Sequence, residues 1–165
     1  MKKFELTSEF VTFLGKKLFR IKALISFGNV KEGELGGYVE KEENLSNNGD
    51  AWVCGDAWVC GNARVYGNAE VFGNARVYGN AEVCGDAWVS GDADYATVHG
   101  FGSEYRTTTF FRTKAGDIGV RCGCFYGTLE EFRAKVKETH GETKTAKEYL
   151  MVADLMEFRF SKEEA

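Results

Sequence analysis

Proline is absent from this 165-residue chain, histidine occurs twice, and basic residues do not outnumber acidic ones. Each shortage excludes something. With no proline and 20 glycines, the composition suits a repetitive β-structure whose corners are made by glycine. A formal net charge of -4, spread along the chain, leaves no global basic field for general nucleic-acid binding. No apolar run approaches the length of a membrane span, so no membrane partner is expected. The Met1–Lys3 start runs into Glu5, Thr7, Ser8 and Glu9, which is not the pattern of a secretory leader. The five cysteines are an odd number. They fit a reduced, cytoplasmic protein better than a disulfide framework. Cys122-Gly123-Cys124 would place two thiols on one face of a strand. Zinc needs about four ligands, and neither a second cysteine pair nor a nearby histidine pair is present. The two thiols read as small buried side chains, and no metal or cofactor is expected.

What the chain does have is a repeat. Residues Gly49 to Ala96 read GDAWVC, GDAWVC, GNARVY, GNAEVF, GNARVY, GNAEVC, GDAWVS, GDADYA. Within each unit Ala-x-Val-y alternates as a short strand does, so Ala and Val share one small apolar face and turn inward. Gly and Asn/Asp tolerate left-handed backbone angles, so the chain can bend once every six residues. Six residues are too few for a strand with a hairpin return, and they suit one side of a coil that keeps winding. If three units make a turn, residue i lies under residue i+18. Arg64 then stacks on Glu82, Arg76 on Asp94, and Trp58 on Arg76, the last a cation–π geometry. A period of twelve would instead stack Arg64 on Arg76 and Glu70 on Glu82. Val53, Val71 and Val89 form one inner column. The last unit carries Tyr95 where valine is due, so the regular coil should end there.

This stretch resembles the hexapeptide-repeat, left-handed parallel β-helix, with valines 53, 59, 65, 71, 77, 83 and 89 at the family's aliphatic position. The handedness and triangular section are what the resemblance implies; spacing alone does not give them. The phrase GELGGYVEKEENLS before the repeat, and the block CGCFYGTLEEF with the following THG after it, are similar to hexapeptide-repeat proteins of phage and prophage genomes. That resemblance implies a phage protein acting in the host cytoplasm more than it implies a chemistry.

The flanks divide the chain into three expected parts. Residues 1–46 form an N-terminal hairpin and ramp that cap the coil, 47–102 the β-helix, and 103–165 a ββαα C-terminal module. The hairpin comprises Glu9–Leu14 and Leu18–Ile25 around Gly15-Lys16-Lys17. Leu45 falls near the inward phase, so an irregular first coil can begin there. After the repeat, Thr97–Gly102 reads as a linker or a degraded unit. Tyr105–Arg112 and Asp117–Phe125 read as an antiparallel pair. Thr128-Leu-Glu-Glu131 is a capping box that starts a helix at Leu129, with Leu129, Phe132 and Val136 on its apolar stripe and Gly141 at its end. A second helix is expected over about 145–158, apolar on several sides and sandwiched between the hairpin and the coil or between subunits. Ser161–Ala165 is acidic and expected to fray.

Two candidate surfaces follow. The outward Trp52, Trp58, Tyr66, Phe72, Tyr78 and Trp88 present more apolar area than a water-facing surface usually carries. They mark an oligomer interface, a trimer by analogy with the fold, or a seat for the C-terminal helices. The second surface follows from centring the C-terminal hairpin on Thr113–Gly116, so that Arg112 faces Asp117. Phe110/Gly119, Thr108/Arg121 and Arg106/Gly123 then share an open face. Arg106, Thr108, Phe110 and Arg121 there could hold a phosphate and a base. The bland alternative is a solvated face whose arginines pair with Asp117 or Glu104. Three functions are compatible with these features. One is a non-catalytic binding protein, which the phage resemblance directs toward counter-defence against a host immune protein or a nucleotide signal. The others are a hexapeptide-repeat acyltransferase and a polymer-forming β-helix. Acyltransferases of the family use a catalytic histidine and commonly a long loop. His99 and His140 lie outside the regular repeat, and no loop interrupts it, so no catalytic residue carries over.

Overall fold

The computed structural model describes residues 2–102 and 104–161; the expected fray at 162–165 lies outside them. The chain is mainly β, with a helix pair at its C-terminal end. A long hairpin, β1 (Phe4–Phe13) and β2 (Lys16–Ala23), precedes β3 (Leu35–Val39) and a short 3-10 turn at Glu42–Asn44. Seven two-residue strands follow at six-residue intervals: β4 (Trp52–Val53), β5 (Trp58–Val59), β6 (Arg64–Val65), β7 (Glu70–Val71), β8 (Arg76–Val77), β9 (Glu82–Val83) and β10 (Trp88–Val89). The chain closes with β11 (Tyr95–Phe101), β12 (Arg106–Arg112), β13 (Ile118–Cys122), β14 (Phe125–Thr128), α1 (Leu129–His140) and α2 (Lys144–Phe160).

The repeat strands fall into three parallel sets. β4, β7 and β10 pair as Val53↔Val71 and Val71↔Val89, β5 and β8 as Val59↔Val77, and β6 and β9 as Val65↔Val83. Each register step is 18 residues, so the chain returns to the same sheet every third unit. Every Ala and Val of this stretch from Ala51 to Val89 is at most 1 % exposed, because the period-two alternation turns them all toward one interior. The corner glycines hold positive φ, from +61° at Gly85 to +73° at Gly49. At Gly85 the need is doubled, since a Cβ would lie 1.9 Å from the Tyr126 hydroxyl.

Both ends of the stack are closed by the chain itself. Below, Tyr38↔Trp58 and Val39↔Val59 continue one sheet in parallel, and Leu45 bridges Val65, the irregular first turn anticipated from its phase. The buried Lys3 Nζ donates to the Ala51 carbonyl at 2.7 Å, and Asn44 Nδ2 donates to those of Gly61 and Ala63. Above, Tyr95 Oη donates to the Arg76 carbonyl at 2.6 Å, and the Glu82 amide donates to Thr109 Oγ1 at 3.0 Å. The regular alternation ends after Val89, one unit before Tyr95. Arg64 pairs in register with Glu82 as expected, whereas Arg76 bonds Asp92, and Asp94 is taken by Arg112. Trp58 pairs in register with Arg76, as the 18-residue step requires, but no cation–π contact between them forms among the described residues; Phe13 lies against the indole instead, 4.7 Å between ring centres.

The C-terminal part departs most from expectation. Thr97–Gly102 is not a linker: most of it belongs to β11, which with β14 widens the expected hairpin to a four-stranded antiparallel sheet, order β11-β12-β13-β14. The hairpin register is displaced by one residue. Arg112 pairs with Ile118, Phe110 with Val120, Thr109 with Arg121 and Thr108 with Cys122. The cause is the turn: the Thr113 amide donates to the Asp117 carbonyl, the Gly116 amide donates to the Thr113 carbonyl, and Gly116 sits at φ +93°. Thr113 and Asp117 are thus the closing pair, and Thr113 is also held by a bridge to Ala87. Cys122 ends β13, while Gly123 at φ +58° begins the turn containing Cys124, so the two thiols do not share a strand.

The displacement changes which face meets what. Phe110, Val120 and Cys122 pack with α1 and α2, and Thr108 bonds Cys122 on the same face. Thr109 and Phe111 turn toward the repeat stack. It is this sheet, not the second helix, that lies between the stack and the other layer. The two helices form as expected. Thr128 caps α1 with a reciprocal box to Glu131, and Gly141 follows its last residue. In α2, Ala146, Tyr149, Val152, Ala153, Met156 and Phe160 are buried, leaving Met151, Leu155 and Phe158 exposed. Arg133 of α1 joins the helices through Asp154 at 2.9 Å and Glu157 at 3.1 Å.

Candidate functional site

The sequence-derived set of Arg106, Thr108, Phe110 and Arg121 is not one site. Thr108 and Phe110 are fully buried under the helices. Arg121 lies on the opposite face of the sheet, over the Tyr66 ring at 5.7 Å and within 3.5 Å of Glu82. Arg106 alone reaches an open cavity.

That cavity, about 260 Å³, lies where the start of β12, the β13–β14 turn and the inner faces of α1 and α2 converge. Its floor is aromatic. Phe132 meets Tyr149 edge-on at 5.6 Å and Phe125 at 5.8 Å, and the His140 ring lies 6.0 Å from Tyr149. Its rim carries Arg106, Lys135 and His140; Arg106 is ion-paired with Glu104, the pairing named in the solvated-face alternative, and Lys135 lies 3.8 Å from Glu138. Arg106 can lie across the turn because Gly123 has no side chain: a Cβ there would stand 1.8 Å from the guanidinium. Tyr149 Oη donates to the Phe101 carbonyl at 3.3 Å and approaches Cys122 Sγ at 3.9 Å. Burial, then the neighbouring Cys122, push its phenol up to about 12, so at neutral pH it is a protonated donor. Thr108 Oγ1 donates to Cys122 Sγ at 3.2 Å.

Helical geometry explains the grouping. Phe132, Lys135, Val136, Thr139 and His140 are spaced i, i+3, i+4, i+7 and i+8, one face of α1. Phe132 and Val136 lie deepest, and the longer polar side chains stand above them. The apolar stripe was read from the sequence, but its polar continuation through Lys135 to His140 was not, although the same period carries it. Nothing in the sequence marks Tyr149 beyond its place in an apolar second helix.

In chemical terms this is a small, mainly apolar floor under three cationic or donor groups. It suits a planar or apolar ligand carrying an acidic group. Cavities that take small organic ligands begin at about this size. Among the described residues no cluster of His, Cys, Asp and Glu could hold a metal ion. His99 Nδ1 bonds Thr107 Oγ1 at 2.8 Å on β11, away from this cavity's lining.

The outward aromatics expected to form an oligomer interface are largely occupied within the chain. Trp52 is covered by Phe27, Trp58 by Phe13, and Phe72 and Trp88 meet edge-on at 4.8 Å. Lys114 lies over Trp88, and Tyr66 sits beneath Arg64 and Arg121. Tyr78 stays exposed. No helix is long and apolar enough to cross a membrane. No protein-family model matches the sequence, and no curated protein matches it.

Proposed function

We propose that this chain is a non-catalytic binding protein that captures a small anionic ligand with an aromatic or other planar part in the cleft between β12, α1 and α2. The observation that carries the reading is the placing of Arg106, Lys135 and His140 around one aromatic floor. A guanidinium and an ammonium hold phosphate or carboxylate by charge-assisted hydrogen bonds, and rings of the floor take a base or a comparable planar group. A mononucleotide is the first ligand to test. The resemblance to phage hexapeptide-repeat proteins would make that ligand a nucleotide signal of a host immune system, sequestered in the host cytoplasm. The same resemblance, together with three sets of parallel-paired repeat strands, an 18-residue return and positive-φ glycines from Gly49 to Gly85, supports a parallel β-helix as the scaffold, its left hand being what the resemblance implies. The polymer-forming alternative draws no support from the capped ends of the stack.

A thermal-stability screen against mono-, di- and cyclic nucleotides tests the reading. At a ligand concentration one hundred times Kd, binding stabilises the fold by about 2.7 kcal/mol, a shift of several degrees. Arg106→Ala with Lys135→Ala should abolish the shift while the unliganded melting temperature stays near that of the wild type, since both side chains are on the rim. No stabilisation by any nucleotide at millimolar concentration would remove the nucleotide version. A shift that survives the double substitution would remove the site.

A further inference from the structure

The N-terminal hairpin carries an edge that soluble proteins normally protect. β1 is the outermost strand of its sheet, order β1-β2-β3-β5-β8, and among the described residues nothing pairs with its outer side. Its ten residues contain neither lysine nor proline, two common blocks against edge pairing. A bulge between Leu6 and Phe10 bends its first half, but Phe10–Phe13 run straight beside β2. This straight part is apolar and open: Phe10 is 45 %, Val11 40 % and Phe13 38 % exposed, and Leu14 at the tip 85 %. Leu14 also holds φ +50°, a conformation that a bulky side chain rarely adopts and that asparagine or glycine would take at lower cost.

We infer that β1 is a self-association edge and that its partner is a second copy of this chain, paired antiparallel across a two-fold axis at Thr12. A two-fold normal to the sheet requires one residue to face its own copy, so only a few registers are possible. With Thr12 on the axis, Val11 faces the partner's Phe13 on one side of the sheet and Phe10 faces the partner's Leu14 on the other. All four exposed apolar side chains then find apolar neighbours, and Glu9 falls opposite the partner's Gly15. Moving the axis to Val11 sets Phe13 against the partner's Glu9. Moving it to Phe13 sets Phe10 against the partner's Lys16. The four side chains expose roughly 400 Å² in all, two on each side of the sheet. That is half of the about 800 Å² each partner contributes to a stable interface; the paired backbones and flanking polar residues supply the rest. The closed, two-fold contact gives a dimer, not the trimer that fold analogy suggests, and it is independent of the anion cleft.

Sedimentation and site-directed cross-linking test this. The protein should sediment as a dimer at micromolar concentration. Val11→Lys with Phe13→Lys should make it a monomer with an unchanged circular-dichroism spectrum. In a Cys124→Ser background, which removes the exposed native thiol, Thr12→Cys should form a disulfide-linked dimer on mild oxidation. Facing Cα atoms across an antiparallel pair lie about 4.5–5.5 Å apart, within disulfide reach. Ser8→Cys should not, because its two copies would be roughly 27 Å apart along the strands. A wild-type monomer would overturn the proposal and leave the edge to a strand of another protein. Cross-linking at Ser8 equal to that at Thr12 would overturn the register.

Discussion

Val71 sits in the middle strand of a three-strand set, with Val53 in register on one side and Val89 on the other, and has no exposed surface. Ala69, two residues earlier, is equally enclosed. At such positions volume is constrained in both directions. Val71→Ala removes two methyl groups from a site that cannot collapse, because its neighbours belong to the same ladder; the expected loss is about 2 kcal/mol. Ala69→Val adds two methyl groups where interior space is absent and should lose about 1–3 kcal/mol. Urea unfolding of both variants checks this, and the m-value should not change. Lys3 shows the opposite use of a side chain. Its long stem allows an ammonium to reach the carbonyls of Gly49 and Ala51 at the bottom of the stack, with the Phe27 ring 4.6 Å away. Nothing in the sequence around Lys3 distinguishes it from an exposed lysine, because the groups it caps lie more than 40 residues away.

Among the elements, those that were legible in the sequence are those whose period fixes the role of every residue. Seven consecutive copies of one pattern determine which side chains turn inward, and the opposite charges of Arg64 and Glu82 identify the 18-residue step. The capping box of α1 was equally legible, since its two reciprocal hydrogen bonds join residues three apart. The β12–β13 hairpin was not. Its register depends on whether the turn closes at Arg112 or Thr113, and docking of Thr113 and Lys114 on Ala87 and Asp86 supports the second choice. That one-residue displacement reverses every side chain of β13 relative to β12. It separates Arg121 from Arg106 and exchanges an imagined open arginine face for two buried ones. The candidate cleft was half legible. Arg106 was recognised as an anion-binding group, but its companions come from a helix whose approach to the sheet is set by tertiary packing of Phe110, Phe132 and Tyr149.

For the whole molecule, burial of many acidic-proton groups sets the response to pH. Desolvation raises the thiols of Cys54, Cys60 and Cys84 above 9.0 and the phenols of Tyr66, Tyr95 and Tyr126 above 10.0, and places Tyr149 at about 12. A raised folded-state value means that these groups favour the fold below the unfolded values of 9.0 and 10.0. Their contribution is then lost as pH climbs toward the folded ones. Lys3 acts in the opposite sense. Burial lowers it from 10.5 to about 8 despite Asp50 nearby, so its contribution grows between those two values. The many outweigh the one, and stability should fall from about pH 9 upward. Melting temperatures recorded under reducing conditions between pH 7.5 and 10.5 check the fall, and Lys3→Met should steepen it because the one opposing group is gone. A wild-type melting temperature that rises across this range would contradict the assignment.

Where a ligand lands tests the proposed cleft beside Arg106 most directly. A titration of uniformly ¹⁵N-labelled protein with a nucleoside monophosphate, followed by amide chemical shifts, reports on every element at once. Shifts should concentrate at Arg106, Cys122, Phe132, Lys135, His140 and Tyr149, saturate with concentration and be absent in the Arg106→Ala, Lys135→Ala variant. Saturating shifts that instead cluster around Trp58 and Tyr78 on the repeat stack, or a spectrum that does not change at millimolar nucleotide, would contradict the proposal.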